Sequence, residues 1–157
     1  MYYFQIKLNS DMTEINKVNT FVEEIIHKCD IDDQYYGVIS TPLIEAAKNA
    51  IIHGNKQDSS KFVLISMQTK QNQLQFSVED QGSGFDYQTI FNKPIEQTKK
   101  YGLKVINQLA SKVEFMKNGS VINYTVEVPM GVKNAEKRAN ILSKEKEELA
   151  ENLTKVF

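Results

Sequence analysis

Glu45 and Asn49 stand one helical turn apart in "EAAKNAIIHGN" (45–55), a stretch otherwise rich in Ala and Ile. On a helix, that spacing puts both side chains on one face. A carboxylate there can accept a proton from a hydroxyl or orient a water. An Asn carbonyl is a hard oxygen ligand for Mg²⁺, which takes few protein ligands beside phosphates and water. Ala46, Ala47 and Ala50 leave room for backbone or ligand to come close. A second group is "DQGSG" (80–84). Asp80 at a strand end, followed by Gly82 and Gly84, sets a hydrogen-bonding carboxylate beside backbone that has no Cβ to block a ligand. The spacing matches neither the dinucleotide glycine pattern nor a P-loop. A third is Gly102-Leu103 opening a helix, where free N–H groups suit phosphate, with Lys93, Lys99 and Lys100 just before it. Each group also has an ordinary use, as an exposed polar pair, an Asp/Gly turn or a loop-to-helix glycine. Their order along the chain carries the information.

The elements that must position them are readable from periodicity. "YYFQIKLN" (2–9) alternates as a strand. Asp11 with Glu14 resembles a capping box, and Ile15, Val18, Val22, Ile25 and Cys29 then mark one amphipathic helix over about 12–29. "DIDD" (30–33) is a turn that caps a second helix over about 34–54, which Pro42 should bend or restart and Gly54 should cap. Strands follow at 61–69 and 73–80 as a hairpin. Residues 81–101 form a long irregular segment of the kind that usually serves function. A helix at 102–112 precedes a last hairpin that turns at Asn118-Gly119. This order predicts an α+β fold, a two-layer α/β sandwich with helices on one face of a mixed, mostly antiparallel sheet, plus a C-terminal helix.

Bulk properties exclude several classes. With 157 residues, 41% of them hydrophobic, and a net charge of −1, the chain suits one globular domain with an appendage and offers no field for nucleic acid or membrane. No apolar run approaches a membrane span, the N-terminus lacks signal-peptide features, and the single Cys29 fits a reducing, cytoplasmic setting.

Taken together, Glu45-x-x-x-Asn49 in a helix ending "NAIIHG" (49–54), a strand ending Asp80-x-Gly82-x-Gly84, a loop, and Gly102 at a helix start resemble the GHKL (Bergerat-fold) ATPases. The chain looks closest to the small anti-sigma-factor serine kinases. The resemblance spans roughly residues 5–130. It implies a 1–132 ATP-binding domain, with ATP and Mg²⁺ as cofactors, while the Lys/Glu-rich composition from about 133 marks a 133–157 helical extension outside the resemblance. Asn49 would ligate Mg²⁺, and Glu45 matches the family's general base. Asp80 matches the residue bonded to the adenine amino group, with Gly82 and Gly84 giving the base room. Residues 85–101 would form a lid over the phosphates, Gly102 and Leu103 would offer backbone to them, and Thr125 falls near an adenine-side threonine. His53 looks like a structural helix-end residue. The family's lid normally ends Gly-x-Gly-Leu/Phe, whereas here Lys100 takes the first glycine's place, its ammonium available to contact phosphate instead.

The resemblance implies a protein serine kinase that phosphorylates an antagonist protein and binds a sigma factor or comparable regulator, in the cytoplasm and possibly as a homodimer. The alternative is a catalytically inactive nucleotide-binding module that sequesters a regulatory partner, a reading that the altered lid and the tail favour. In the tail, Ala135, Ala139, Leu142, Leu149, Leu153 and Val156 keep a heptad-like seam interrupted by Lys146. That seam suits an arm for self-association or a partner, although a solvated helix lying on the domain would also fit the composition.

Overall fold

The computed structural model describes residues 1–86 and 101–154. Most of the expected lid, Lys100 included, lies outside them. Five strands form one sheet in the order β1-β2-β3-β5-β4: β1 Tyr3–Asn9, β2 Phe62–Lys70, β3 Gln73–Glu79, β4 Lys112–Met116 and β5 Val121–Glu127. Every pairing is antiparallel. Among the described residues, helices α1 (Asn16–Lys28), α2 (Tyr36–Asn49) and α3 (Tyr101–Leu109) pack in the domain, and α4 (Val132–Thr154) follows it.

Alternation decides the faces, because successive strand residues point to opposite sides. Ile65, Val78 and Ile122 lie across from one another on neighbouring strands, as do Met67, Phe76 and Tyr124. All six are buried, in one core with Val22 and Ile25 of α1, Leu43 and Ala47 of α2 and Ile106 of α3. Phe76 and Tyr124 stack with ring centroids 5.2 Å apart. The other sheet face carries Gln5, Ser66, Gln68, Gln75, Ser77 and Asn123. The expected two-layer arrangement therefore forms, with helices on one face.

Several local expectations change. Asp11 accepts from Thr13 N at 2.8 Å, but Glu14 reaches Asn9 N at 3.3 Å rather than the cap's own N–H. No reciprocal capping box forms, and Met12–Ile15 is a 3₁₀ turn that precedes α1. α2 runs through Pro42 without a restart. The proline leaves the Val38 carbonyl without its usual donor, yet its ring is buried in the core layer. α3 stops at Leu109 rather than 112, because Ser111 N donates to Thr125 O at 2.9 Å and the chain joins the sheet.

The largest departure is at the end of α2. Residues Ala50–Gly54 form a π-helical turn closed by Asn55 N donating to Ala50 O at 2.8 Å. Gly54 is thus no left-handed cap, since the backbone stays helical through Asn55 (φ −84°, ψ −6°). The wider turn sinks Asn55 into the protein, where it is fully buried. Its Nδ2 donates to Ser10 Oγ at 2.6 Å and to Phe62 O at 2.9 Å, while its Oδ1 accepts from Gln81 N at 2.7 Å. One carboxamide joins the end of β1, the start of β2 and the loop after β3.

Replacing Asn55 by Ala leaves these buried groups unpaired, so Asn55→Ala should lose about 3 kcal/mol of stability in denaturant unfolding. Tyr124 Oη is buried without a hydrogen-bond partner among the described residues. Tyr124→Phe removes that orphan and should gain about 1 kcal/mol in the same assay.

Candidate functional site

α2 and α3 lie side by side, and their contact is made through a missing side chain. A Cβ added at Gly102 would sit 2.5 Å from Glu45 Oε2 and 3.5 Å from Asn49 Nδ2. Glu45 and Asn49 thus share one face, as their spacing predicts, and that face meets the first turn of α3. Asn49 Nδ2 is buried with no partner among the described residues. An unpaired buried amide costs stability, and this one is an N–H donor, the kind of group that an anionic oxygen satisfies. Glu45 keeps a contact with Lys48, 3.4 Å away on the same helix. Leu103 is buried just beyond Gly102 and closes the base of the cleft.

Asp80 forms the opposite wall. Its N–H donates to Ser120 O at 2.9 Å, which fixes the end of β3 to the start of β5. Gly82 N donates to its Oδ1 at 2.8 Å. Any side chain at Gly54 would collide with the Asp80 carboxylate, and one at Gly82 would collide with the Gly54 carbonyl. These two glycines let the carboxylate lie directly over the end of the π-helical turn. Burial pushes the Asp80 carboxyl above the ordinary carboxylate value, against the pull of the Gly82 N–H. Gly84 holds a left-handed φ of +86° and approaches Asn118, and Phe85 N then donates to Asn118 O at 2.8 Å.

Between the walls runs a narrow cleft of about 30 Å³. Ala46, Asn49, Asp80, Phe85, Leu103 and Phe115 line it. Phe85 meets Phe115 edge to face at 5.5 Å. The structure therefore brings Glu45, Asn49, Asp80, Gly82, Gly102 and Leu103 to one place, with Gly84 at its edge. His53, expected to be structural, has an exposed side chain on the rim. Sequence reasoning passed over Phe85 and Phe115. Phe85 directly follows the Asp-x-Gly-x-Gly run, and the alternation of β4 sends Phe115 inward with Val113, so both carried a signal.

Thr125 stands apart from the others. It pairs with Gln75 and Lys112 on the sheet face turned away from the helices. A roomier depression of about 370 Å³ lies there, lined mainly by Gln, Ser and Asn side chains. It lacks the convergent carboxylate, carboxamide and glycine faces of the smaller cleft, so the cleft is the candidate site despite its size.

The groups in the cleft could serve a ligand that donates a hydrogen bond at one end and carries phosphate at the other. Asp80 offers an acceptor beside apolar Phe85 and Ile122. At the far end, a carboxylate and a carboxamide face the start of a helix, where phosphate is favoured. Among the described residues no three His, Cys, Asp or Glu are grouped to hold a metal unaided. A Mg²⁺ held by Asn49 would take the rest of its shell from phosphate and water, as this ion commonly does.

Comparison with known proteins gives the same answer at the level of the domain. A family described as "Histidine kinase-like ATPase domain" matches residues 8–126. The anti-sigma F factor of Clostridium perfringens (strain SM101 / Type A) is 36% identical over 61 residues, 39% of this chain and 44% of that protein. The chain thus matches less than half the length of that curated relative. Among solved structures, the RsbU and RsbW domains of Rv1364c from Mycobacterium tuberculosis superpose with a TM-score of 0.59 at 17% identity, over 83% of this chain and 32% of that one. The Erythrobacter litoralis EL346 blue-light activated histidine kinase gives 0.50 at 18% identity, over 74% and 41%. At these identities the structures speak for the fold alone. With cleft, sheet order and a family match over most of its length in agreement, the chain belongs to the histidine kinase-like ATPase domain family.

Proposed function

We propose that this protein binds Mg-ATP in the cleft and is a serine/threonine-protein kinase of the anti-sigma-factor type, phosphorylating an antagonist protein and binding a sigma factor or similar regulator. The observation that carries the reading is the meeting of Glu45 and Asn49 with Gly102, where the Asn49 amide is buried and unpaired among the described residues. Its regulatory half rests on the partial similarity to an anti-sigma F factor. Bound Mg-ATP supplies the transferable phosphoryl group.

The protein's own groups have separable tasks. Asp80 accepts a hydrogen bond from the adenine amino group, held in line by the Gly82 N–H. Asn49 would hold the cation through its carboxamide oxygen, and Gly102 and Leu103 would present backbone N–H groups to phosphate. Glu45, close to Lys48 and Gly102, accepts the proton of the attacking serine hydroxyl. The remaining contribution is positioning and charge neutralisation, as in phosphoryl transfer generally.

A second reading has one specific support. Lys100 occupies the place of a lid glycine, and a side chain there restricts backbone that must follow the phosphates. Under that reading the protein binds ATP without consuming it and sequesters its regulatory partner.

Calorimetry on the purified chain tests the site first. Mg-ATP should bind, Asp80→Asn should weaken binding at least tenfold, and Asn49→Ala should remove the Mg²⁺ dependence. Absence of binding at millimolar nucleotide would sink the ATP reading. With an antagonist protein as acceptor, Glu45→Gln should keep ATP affinity and slow phosphoryl transfer by about a hundredfold or more. Transfer undetectable even in the wild type, with binding intact, selects the second reading.

The raised carboxyl of Asp80 has opposite effects on stability and binding. Above its raised folded value, the protein must hold a half-buried charge. Its contribution to stability is therefore fully present below the unfolded value and is lost as pH rises through the folded one. Nucleotide affinity should do the reverse, falling as acid protonates the acceptor. Asp80→Asn should accordingly melt slightly higher than the wild type at neutral pH without nucleotide, and should lose the acid-side decline in stability difference; melting curves across pH check both.

A further inference from the structure

The nucleotide cleft makes no use of α4. Every described side chain from Ala135 to Glu151 is exposed, with Ile141 and Leu142 at 56% and Leu149 at 67%. Its root is nonetheless fixed, since Gly131 N donates to Asp30 O at 3.0 Å and Met130 packs against the core. The helix thus leaves the domain from a defined point, and its apolar residues Ile141, Leu142 and Leu149 stay exposed. A lone helix in water draws little stability from its own hydrogen bonds, and helical stability in proteins comes chiefly from burying an apolar stripe.

The stripe here has a register. Ala135, Leu142 and Leu149 recur at one heptad position, d, and Ala139 and Lys146 fall at a. The sequence continues the pattern with Leu153 at a and Val156 at d. Ile141 falls at c, outside the seam.

We propose that α4 pairs in register with α4 of a second copy of this chain as a parallel, two-stranded coiled coil. Two features select that occupant. Leu142 and Leu149 at d supply the apolar contacts, and a single Lys at a specifies register and strand number at a cost in stability. In a parallel pair the a residue of one helix packs beside the g residue of the other. Here g is Glu145, so each copy brings a carboxylate to the Lys146 ammonium of the other. An apolar groove on an unrelated partner would instead bury that ammonium unpaired, at high cost. The parallel arrangement also holds the two nucleotide-binding domains side by side at the same end of the pair.

Sedimentation of the full chain over a range of concentrations tests the pairing. The wild type should double in mass as concentration rises through the micromolar range. Leu142→Glu/Leu149→Glu should stay monomeric with an unchanged melting transition for the domain, because both side chains are exposed in the single chain. In a Cys29→Ala background, oxidation of Leu142→Cys should give a disulfide-linked dimer, and Ile141→Cys should not. Lys146→Leu should tighten association or raise the strand number. A chain that is monomeric at every concentration overturns the proposal. So does a dimer that survives the double substitution, which would use another face, or a dimer in which Leu142→Cys fails to cross-link, which would be antiparallel, staggered or formed elsewhere.

Discussion

The geometry of the cleft depends on the burial of one carboxamide, that of Asn55. An amide taken out of water is tolerated only when its hydrogen bonds are remade, and Asn55 remakes them with three separate segments. Ser10, Phe62 and Gln81 are therefore fixed relative to one another and to the end of α2. The π-helical turn is what brings the side chain to that point, and such turns are frequent at functional sites. With Asn55 sunk, Gly54 comes up beneath the Asp80 carboxylate. The left-handed residues that end the stretch, Lys56 and Gln57, come only after Asn55, so Gly54 itself stays helical.

Around that anchor the cleft is built by subtraction. Gly54 admits the Asp80 carboxylate, Gly82 admits the Gly54 carbonyl, and Gly102 admits Glu45. Each absence brings a polar group close to backbone without a hydrophobic barrier. The cost is visible in two groups that an inert core would avoid. Asp80 carries a charge in a half-buried place, and Asn49 has a buried amide left unpaired among the described residues. Local rules are commonly broken at functional sites, with the loss made up elsewhere. Here the surrounding sheet and helices supply a continuous core, from Leu8 on β1 to Ile106 on α3.

Much of this was legible in the chain. The hairpin of β2 and β3 follows from alternation and a short polar turn, and α1 from its 3-4 spacing of Val18, Val22 and Ile25. The i, i+4 spacing puts Glu45 and Asn49 on one face of any helix. Boundaries were less legible, because distant hydrogen bonds set them. α3 ends early since Ser111 bonds to Thr125 across the sheet, and Pro42 sits inside a helix because the buried core layer holds it there.

The sequence by itself determined which residue types were available and on which local face each would lie. Those properties depend only on helical and strand periods. The tertiary structure decided which faces meet. Thr125 shows the difference. Its strand was recognisable, but its side depended on the pairing of Phe76 with Tyr124, and a step of one residue along a strand exchanges the two faces. Gly54 shows it too. A glycine ending a helix reads as a cap until the partner that needs its bare face, Asp80 from a strand far along the chain, is in place. Close packing between segments distant in sequence is the physical step that no local pattern contains.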